Sequence, residues 1–498
     1  MNQGITATTL DLLRAASPTT ADMVKAWVVP TSNTAGIQNY DLQKPALSLV
    51  PVTTPLLNAT PVIDADGGIQ ANWHAITGIN TGGISPGVSE GNRGGTIASS
   101  TVDYFAAYKT FGHDDYVTDE AMLAAKDYMD LLARAQSNLL WAAKISMEKV
   151  ILGGQGTYGL GATPTPVALD VLAGGSLAQN TAYSVIVAAL TLDGFANSSV
   201  VNGVRGAVTR TNLDGSSDTY GGGTAKLSAS GSVTTANSGG ATHGLTATVA
   251  AVPGALGYAW FWGVPGSETL GAITTINSVA ITGAATGTQT AASLGAADNS
   301  QNNLVCDGLI AQVAKPGLGT KIITMATGTA GTGTPLTADG SGGIVEFDTM
   351  LQWYWDNLRL SPSTIWVSSQ EAQNAYKKIL VGTATGAQRF MINVEQGNLV
   401  GGDAVRTYLN KFGLDGAKSI PIKIHPNLPP GTILFDTDDL PYPLSGVTNV
   451  KCFRAQQNYF ATLWPRVKRR YEFGVYLRGV FQNYFPPAFG LITNIGNG

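Results

Sequence analysis

Residues able to do chemistry are few and scattered in this chain. Four histidines, His74, His113, His243 and His425, are spread over 498 residues, so neither an HExxH pair nor any other close pair of zinc-ligating imidazoles occurs. Residues 87–91 spell GVSEG and match the nucleophile-elbow pattern, which needs a strand before it and a helix directly after it. Both flanks are rich in glycine here, so the segment reads as a loop tip. The densest polar cluster is His113, Asp114, Asp115, Asp119 and Glu120, whose imidazole and oxygen donors could hold a divalent cation. The same carboxylates suit the first turn of a helix, where they meet the positive end of its dipole, and that reading needs no ion. Cys306 and Cys452 lie in separate regions without CxxC spacing, which excludes a disulfide framework and a thiolate zinc site. No phosphate-binding GxxxxGK[ST] loop is present, and PGLGTK from Pro316 suits a β-turn. No catalytic residue, metal or cofactor is therefore expected.

The basic run Arg466, Lys468, Arg469, Arg470 and Arg478 is the one feature able to touch nucleic acid. It alternates with Val467, Tyr471, Phe473 and Val475, which suggests a strand with one packed and one charged face. Its cations would either pair with charges across a subunit boundary or face DNA phosphates, whose attraction needs only exposed cations.

The elements that would carry these residues follow from composition and pattern. Charged residues make up 12% and hydrophobic residues 44%, with a formal net charge of -4. A freely diffusing protein usually carries about 25% charge, so much of this surface is expected to be covered by other copies. The acid-leaning balance argues against a protein whose main task is gripping phosphates. Neither a secretory signal nor an apolar run of membrane-spanning length is visible. Residues 33–61 hold Pro45, Pro51, Pro55 and Pro61 without helical period and read as an extended arm. From 64 to 104, apolar runs containing Trp73, Ala75 and Ile76 flank a centre dense in glycine, the pattern of a long two-stranded loop with a mobile tip. Trp73 and Arg93 are its candidate contacts.

Thr118 can cap a helix, Asp119 and Glu120 follow it, and no glycine or proline intervenes before Gly153 and Gly154. One helix is expected, with Met122, Ala125, Met129, Leu132, Leu139, Ala143, Met147 and Val150 on one face and Gln136 as the exception. At about 1.5 Å per residue it would be roughly 50 Å long. Residues 163–300 are poor in charge and alternate short apolar runs with turn signals, as in LTATVAAV from Leu245 and GYAWFWG from Gly257. They predict a small all-β sandwich inserted between two halves of another domain. Trp260 and Trp262, two apart on one strand, share a face, as sandwich core in the preferred reading or as an exposed ligand platform. After Gln301, helices and strands alternate, and residues 451–495 read as long aromatic strands returning to pack on the long helix. The fold class is α+β.

This order of arm, glycine-tipped loop, long helix, α/β region and aromatic return strands resembles that of tailed-bacteriophage major capsid proteins of the Hong Kong 97 type. CDGLIAQ from Cys306 is similar to the segment entering their axial domain, with Cys306 where an aromatic residue is commoner. RRYEFGVYLRGVFQNYFPPAFGLITNI from Arg469 resembles their end. The resemblance implies an N-terminal arm over 1–63, an extended loop over 64–104, a peripheral domain with its spine helix over 105–162, an axial domain over 301–448 and peripheral return strands over 449–498. Residues 163–300 depart from that plan. VPGALGYAWFWG from Val252 is similar to part of the fibronectin type III domain, which implies an immunoglobulin-like or fibronectin-like insertion that decorates the outside.

The implied function is self-assembly into hexamers and pentamers of an icosahedral shell. That shell would be the virion capsid, assembled in the host bacterial cytoplasm around double-stranded DNA that it meets by non-specific proximity. A portal and separate scaffolding or cement proteins are the further partners, without a membrane, and the leading Met1 implies that no N-terminal scaffolding segment is cleaved. An encapsulin-type compartment and a phage tail or adhesin carbohydrate-binding protein are the alternatives. Some relatives of this fold weld subunits by an isopeptide bond from a lysine of the extended loop. No lysine lies between Lys44 and Lys109, and a guanidinium such as that of Arg93 is a poor nucleophile, so cohesion is expected to be noncovalent.

Overall fold

The computed structural model describes residues 48–126, 128–340, 342–380, 407–413 and 416–496. The expected N-terminal arm falls outside them up to residue 47. Helix α1 (Pro55–Ala59) and strand β1 (Val62–Asp64) precede a hairpin of β2 (Gln70–Ile79) and β3 (Ser99–Ala107). Strand β4 (Lys109–Thr118) leads into helices α2 (Asp119–Ala124) and α3 (Leu131–Gly153). Next come β5 (Val167–Val171), β6 (Ala182–Leu190), α4 (Leu192–Ala196), β7 (Ala207–Thr211), β8 (Ser217–Gly221) and β9 (Gly231–Thr234). They are followed by β10 (Gly244–Thr248), β11 (Gly257–Gly263), β12 (Thr269–Thr274) and β13 (Ser278–Ile281). Helices α5 (Leu309–Ala314), α6 (Val345–Leu358) and α7 (Ser369–Leu380) alternate with β14 (Lys321–Thr324) and β15 (Thr364–Val367). Strands β16 (Thr407–Asn410), β17 (Lys418–Ile424), β18 (Ile433–Asp436), β19 (Lys451–Leu463), β20 (Arg470–Asn483) and β21 (Gly490–Thr493) complete an α+β chain.

Two compact units result, one from Gly112–Ile145 and Ala461–Tyr476, the other from Pro55–Phe111, Ser146–Phe460 and the chain from Leu477. In the larger unit a six-stranded sheet runs β14-β21-β18-β15-β17-β16. Helix α6 turns Phe347, Met350, Leu351 and Tyr354 to one side, and all four are fully buried. They join Ile365, Phe435 and Leu491 of the sheet in the main core. A four-stranded sheet has the order β1-β19-β20-β4.

The expected single helix over 118–152 is two helices. Thr118 caps the first by accepting from the Ala121 amide at 3.2 Å. The break is made by Asp130, whose Oδ1 accepts from the Ala133 amide at 3.1 Å and so starts a new helix. A mid-pattern aspartate thus acts as a cap where neither glycine nor proline marks a stop. The second helix has 23 residues and is about 34 Å long rather than 50.

Residues 167–281 hold two sheets, β13-β10-β5 and β12-β11-β6-β9, plus the separate hairpin β7-β8. Trp260 and Trp262 are buried with Val185, Val187, Leu245 and Ile281, which is the core reading and not the ligand platform. Their indole N–H groups donate to Thr274 Oγ1 at 2.8 Å and to the Gly283 carbonyl at 2.9 Å. Gly271 is required because any Cβ there would meet the Trp262 ring at 2.0 Å. The segment is also built into the unit that carries it. Leu192 and Leu256 belong to the main core, not to the sandwich core. The Asn277 amide donates to Asn494 Oδ1 at 2.8 Å, and Asn277 Nδ2 donates to Thr327 Oγ1 at 3.0 Å. Leu256→Ala should therefore destabilise the whole larger unit, by about 2–5 kcal/mol as for other buried leucines. Urea denaturation followed by tryptophan fluorescence checks this, and a loss confined to the sandwich would contradict it.

Candidate functional site

The basic run does not lie on one strand. Pro465 cannot donate to a sheet ladder, and residues 464–469 form the connection between β19 and β20. Only Arg470 and Arg478 are on a strand, so the sequence-based expectation of an alternating strand over the whole run is corrected.

Within the smaller unit this connection meets the end of β4 and the start of α2. Arg466 Nη2 donates to both carboxylate oxygens of Asp119 at 2.6 Å, and its guanidinium lies 4.2 Å from the Tyr471 ring centroid. Arg469 pairs with Glu120 at 3.0 Å. Arg470 Nε donates to Glu472 at 2.5 Å, and the guanidinium sits 4.3 Å from the Tyr116 ring centroid. Asp114 Oδ1 accepts from the Tyr476 hydroxyl at 2.6 Å and from Trp464 Nε1 at 3.2 Å. The acidic cluster considered as a cation site is thus engaged by arginines and aromatic donors. Among the described residues no group of three or more His, Cys, Asp and Glu side chains could hold a metal ion. Asp114, Asp115, Asp119, Glu120 and Glu472 outnumber Arg466, Lys468, Arg469 and Arg470, so the local field is not the positive footprint that phosphates require. Lys468 sits exposed in the connection with no ion pair among the described residues. Arg478, in the larger unit, donates from Nε to Gln456 Oε1 at 2.7 Å.

The hairpin belongs to the larger unit. β2 and β3 form a two-stranded sheet joined by the exposed, glycine-dense stretch 80–98, which contains the GVSEG match. Trp73 stacks on its cross-strand partner Tyr104 at 5.7 Å and meets Tyr484 edge-on at 6.0 Å, so it packs within its own chain. Arg93 is exposed near the tip. Ile69, Ile76, Ile79, Ile97 and Phe105 are all exposed, Phe105 at 72% and Ile69 at 80%.

Both cysteines are free and buried, and burial pushes their thiols up, to about 12 for Cys306 and about 11 for Cys452. Neither is a reactive thiolate. Three pairs escaped the sequence reading: Glu148 with His425 and Asp170 with His243, which join residues far apart in the chain, and Asp436 with Lys451, which sit on separate strands without a shared local pattern. Only the pair of Asp170 and His243 has a local sign, an aspartate at an inward position of a strand otherwise made of apolar residues.

No protein-family profile matches the sequence, and no curated protein matches it. Among solved structures, the chain is similar to the capsid of Myoviridae phage XM1, with 8% identity over 93% of this chain and 100% of that one, at a TM-score of 0.40. It is similar to the capsid of the native GTA particle, with 7% identity over 92% and 96% at 0.42. It is equally similar to the holo-SrpI encapsulin complex from Synechococcus elongatus, with 7% identity over 92% and 93% at 0.40. Scores this low assign neither a fold family nor an activity.

Proposed function

We propose that this chain is a shell subunit, the major capsid protein of a tailed bacteriophage, and that it works by covering its neighbours rather than by catalysis. The observation that carries the reading is the β2–β3 hairpin. A hairpin of two strands is at best marginal alone in water, and this one leaves large apolar side chains exposed, among them Ile76, Ile79, Ile97 and Phe105. Covering them recovers about 25 cal/mol per Å² of apolar surface, and the low charge of the chain fits a surface that other copies cover. Hexamers and pentamers of the chain would close an icosahedral shell around double-stranded DNA, with a portal and scaffolding or cement proteins as partners. In this reading the 163–300 sandwich is the immunoglobulin-like insertion facing outward. The Arg466 to Arg470 connection serves as a lock inside each subunit, leaving Lys468 as its cation for a neighbour or for DNA.

Negative-stain microscopy and light scattering of the purified protein test this: closed shells support it, and a protein that stays monomeric at high concentration, alone and with its phage's other structural proteins, overturns it. Shells holding protein cargo and no DNA would point to an encapsulin-type compartment instead.

The shell should hold without covalent links. The hairpin has no lysine, and Lys109 Nζ beyond it already donates to the Asn303 carbonyl at 2.7 Å. Lys44 lies outside the described residues. Boiled, reduced particles should run as one band near 51.5 kDa on a denaturing gel. A ladder of multimers would contradict this.

A further inference from the structure

Both ring nitrogens of His243 face oxygen acceptors that cannot donate in return. Its side chain is fully buried at the start of β10. Nδ1 lies 2.8 Å from Asp170 Oδ1 on β5, and Nε2 lies 2.6 Å from the backbone carbonyl of Ser238. A neutral imidazole has a single N–H and leaves the other nitrogen as a bare acceptor. Against a carbonyl at hydrogen-bond distance, that lone pair would be repelled. Asp170 is itself set up as an anion, since its Oδ2 accepts from the Ala236 amide at 2.8 Å.

The same contacts hold one loop. Residues 236–242 are exposed, and Gly239 and Gly240 take φ of 88° and 68°. The loop is tied at one end by Ala236 to Asp170, in its middle by Ser238 to His243, and by the Gly240 amide to Gln179 Oε1 at 2.9 Å. The Thr242 hydroxyl donates to the Gly239 carbonyl at 2.8 Å. Two of these ties pass through the His243–Asp170 pair. Asp170 is the charged group acting on the ring. The adjoining strands β5 and β13 and residues 172–180 and 235–242 contribute no other titratable side chain.

We infer that His243 is a buried imidazolium that clasps the 236–242 loop to β5, and that the loop is released when the ring loses its proton. Two further facts agree. The hydrogen bond to Asp170 and that to Ser238 raise the affinity of the ring for its proton above the ordinary histidine value, while burial opposes them. Burial also works against the Asp170 carboxylate, which the Ala236 amide and His243 nonetheless hold below its usual range. The sign follows. A raised folded value means that the clasp is fully present below about pH 6.5, the ordinary histidine value, and is lost as pH rises through the folded one. The device is a pH-gated loop on the β sandwich, and it does not depend on the shell reading.

The test uses full-length wild-type protein. Histidine C2-hydrogen exchange read by mass spectrometry titrates the four histidines one by one, and amide exchange over 236–242 in the same samples is divided by the intrinsic rate at each pH. The expected result is a His243 midpoint above 6.5. Corrected loop exchange should climb by up to about tenfold per pH unit from there to that midpoint and then level off. In His243→Gln the corrected exchange should stay flat across the window. A midpoint at or below 6.5, corrected loop exchange that ignores it, or the same pH profile in His243→Gln would each overturn the inference. Should that variant fail to fold, Asp170→Asn, which should lower the midpoint, replaces it, and the wild-type titration decides in any case.

Discussion

Replacing Glu148 by alanine is expected to destabilise the larger unit by about 3–5 kcal/mol, because three donors would lose one buried acceptor and each orphaned donor costs about 1–3 kcal/mol. Glu148 projects from α3, and its side chain and that of His425 are fully buried. Its Oε1 accepts from the Leu56 amide at 2.9 Å and from His425 Nε2 at 2.7 Å, and its Oε2 accepts from the Leu57 amide at 2.6 Å. The two amides belong to the first turn of α1, whose donors have no partner within the helix, and Pro55 at the start of that turn has no N–H to satisfy. His425 Nδ1 accepts from the Asn427 amide at 3.2 Å, which places the ring proton on Nε2 and aims it at the carboxylate. One side chain therefore joins α1, α3 and the stretch after β17. Glu148→Gln keeps one oxygen but turns an NH₂ group toward one of the donors, so roughly half the loss should remain. Urea denaturation measures the loss, and amide exchange at Leu56 and Leu57 should accelerate first. A change within about 0.5 kcal/mol for the alanine variant would show that water satisfies these donors.

What could be read in advance divides by sequence distance. The hairpin was legible because glycines cluster at its tip and apolar residues flank them, and the buried Trp260 and Trp262 pair was legible because a two-residue spacing repeats the strand period. Thr118 was legible as a cap. Asp130 was not, because its residue type also occurs on exposed helix surfaces and only its bond to the Ala133 amide distinguishes it. The charges of 466–470 were visible, but Pro465 carried more structural information than the alternation that suggested a strand. Their partners Asp119 and Glu120 lie some 350 positions away in the chain, and no local pattern encodes such a pairing. The same holds for Glu148 and His425, separated by 277 positions. Leu192 and Leu256 look like ordinary sandwich residues in sequence, and only the fold assigns them to the main core.

The second large effect should come from Lys451. Its ammonium is buried against both oxygens of Asp436 and lies 2.7 Å from Asp438 Oδ1. The Asp436 side chain is 2% exposed and its Oδ2 also accepts from Trp366 Nε1 at 2.8 Å. Lys451→Met should cost about 3–5 kcal/mol, since it leaves a buried carboxylate without its counter-charge. Most of that loss is the penalty on the surviving partner and not the net worth of the pair. Lys451→Met combined with Asp436→Asn should therefore lose much less than the two single variants added together, because the asparagine oxygen still accepts from Trp366 and no charge remains to desolvate. Additivity within about 0.5 kcal/mol would show that the two side chains are not coupled. The pH dependence separates this pair from the His243 clasp. Burial pulls the Lys451 ammonium down, but the two carboxylates outweigh it and hold the group above the ordinary lysine value. Its contribution is then complete below about pH 10.5 and is lost only as pH rises through the higher folded value. Wild-type stability should fall on that alkaline side, and the fall should be smaller in Lys451→Met but not absent, because Tyr258, Tyr459 and Lys411 are also held above their ordinary values and lose stability in the same range. The loop gated by His243 should already have opened in the variant and the wild type alike.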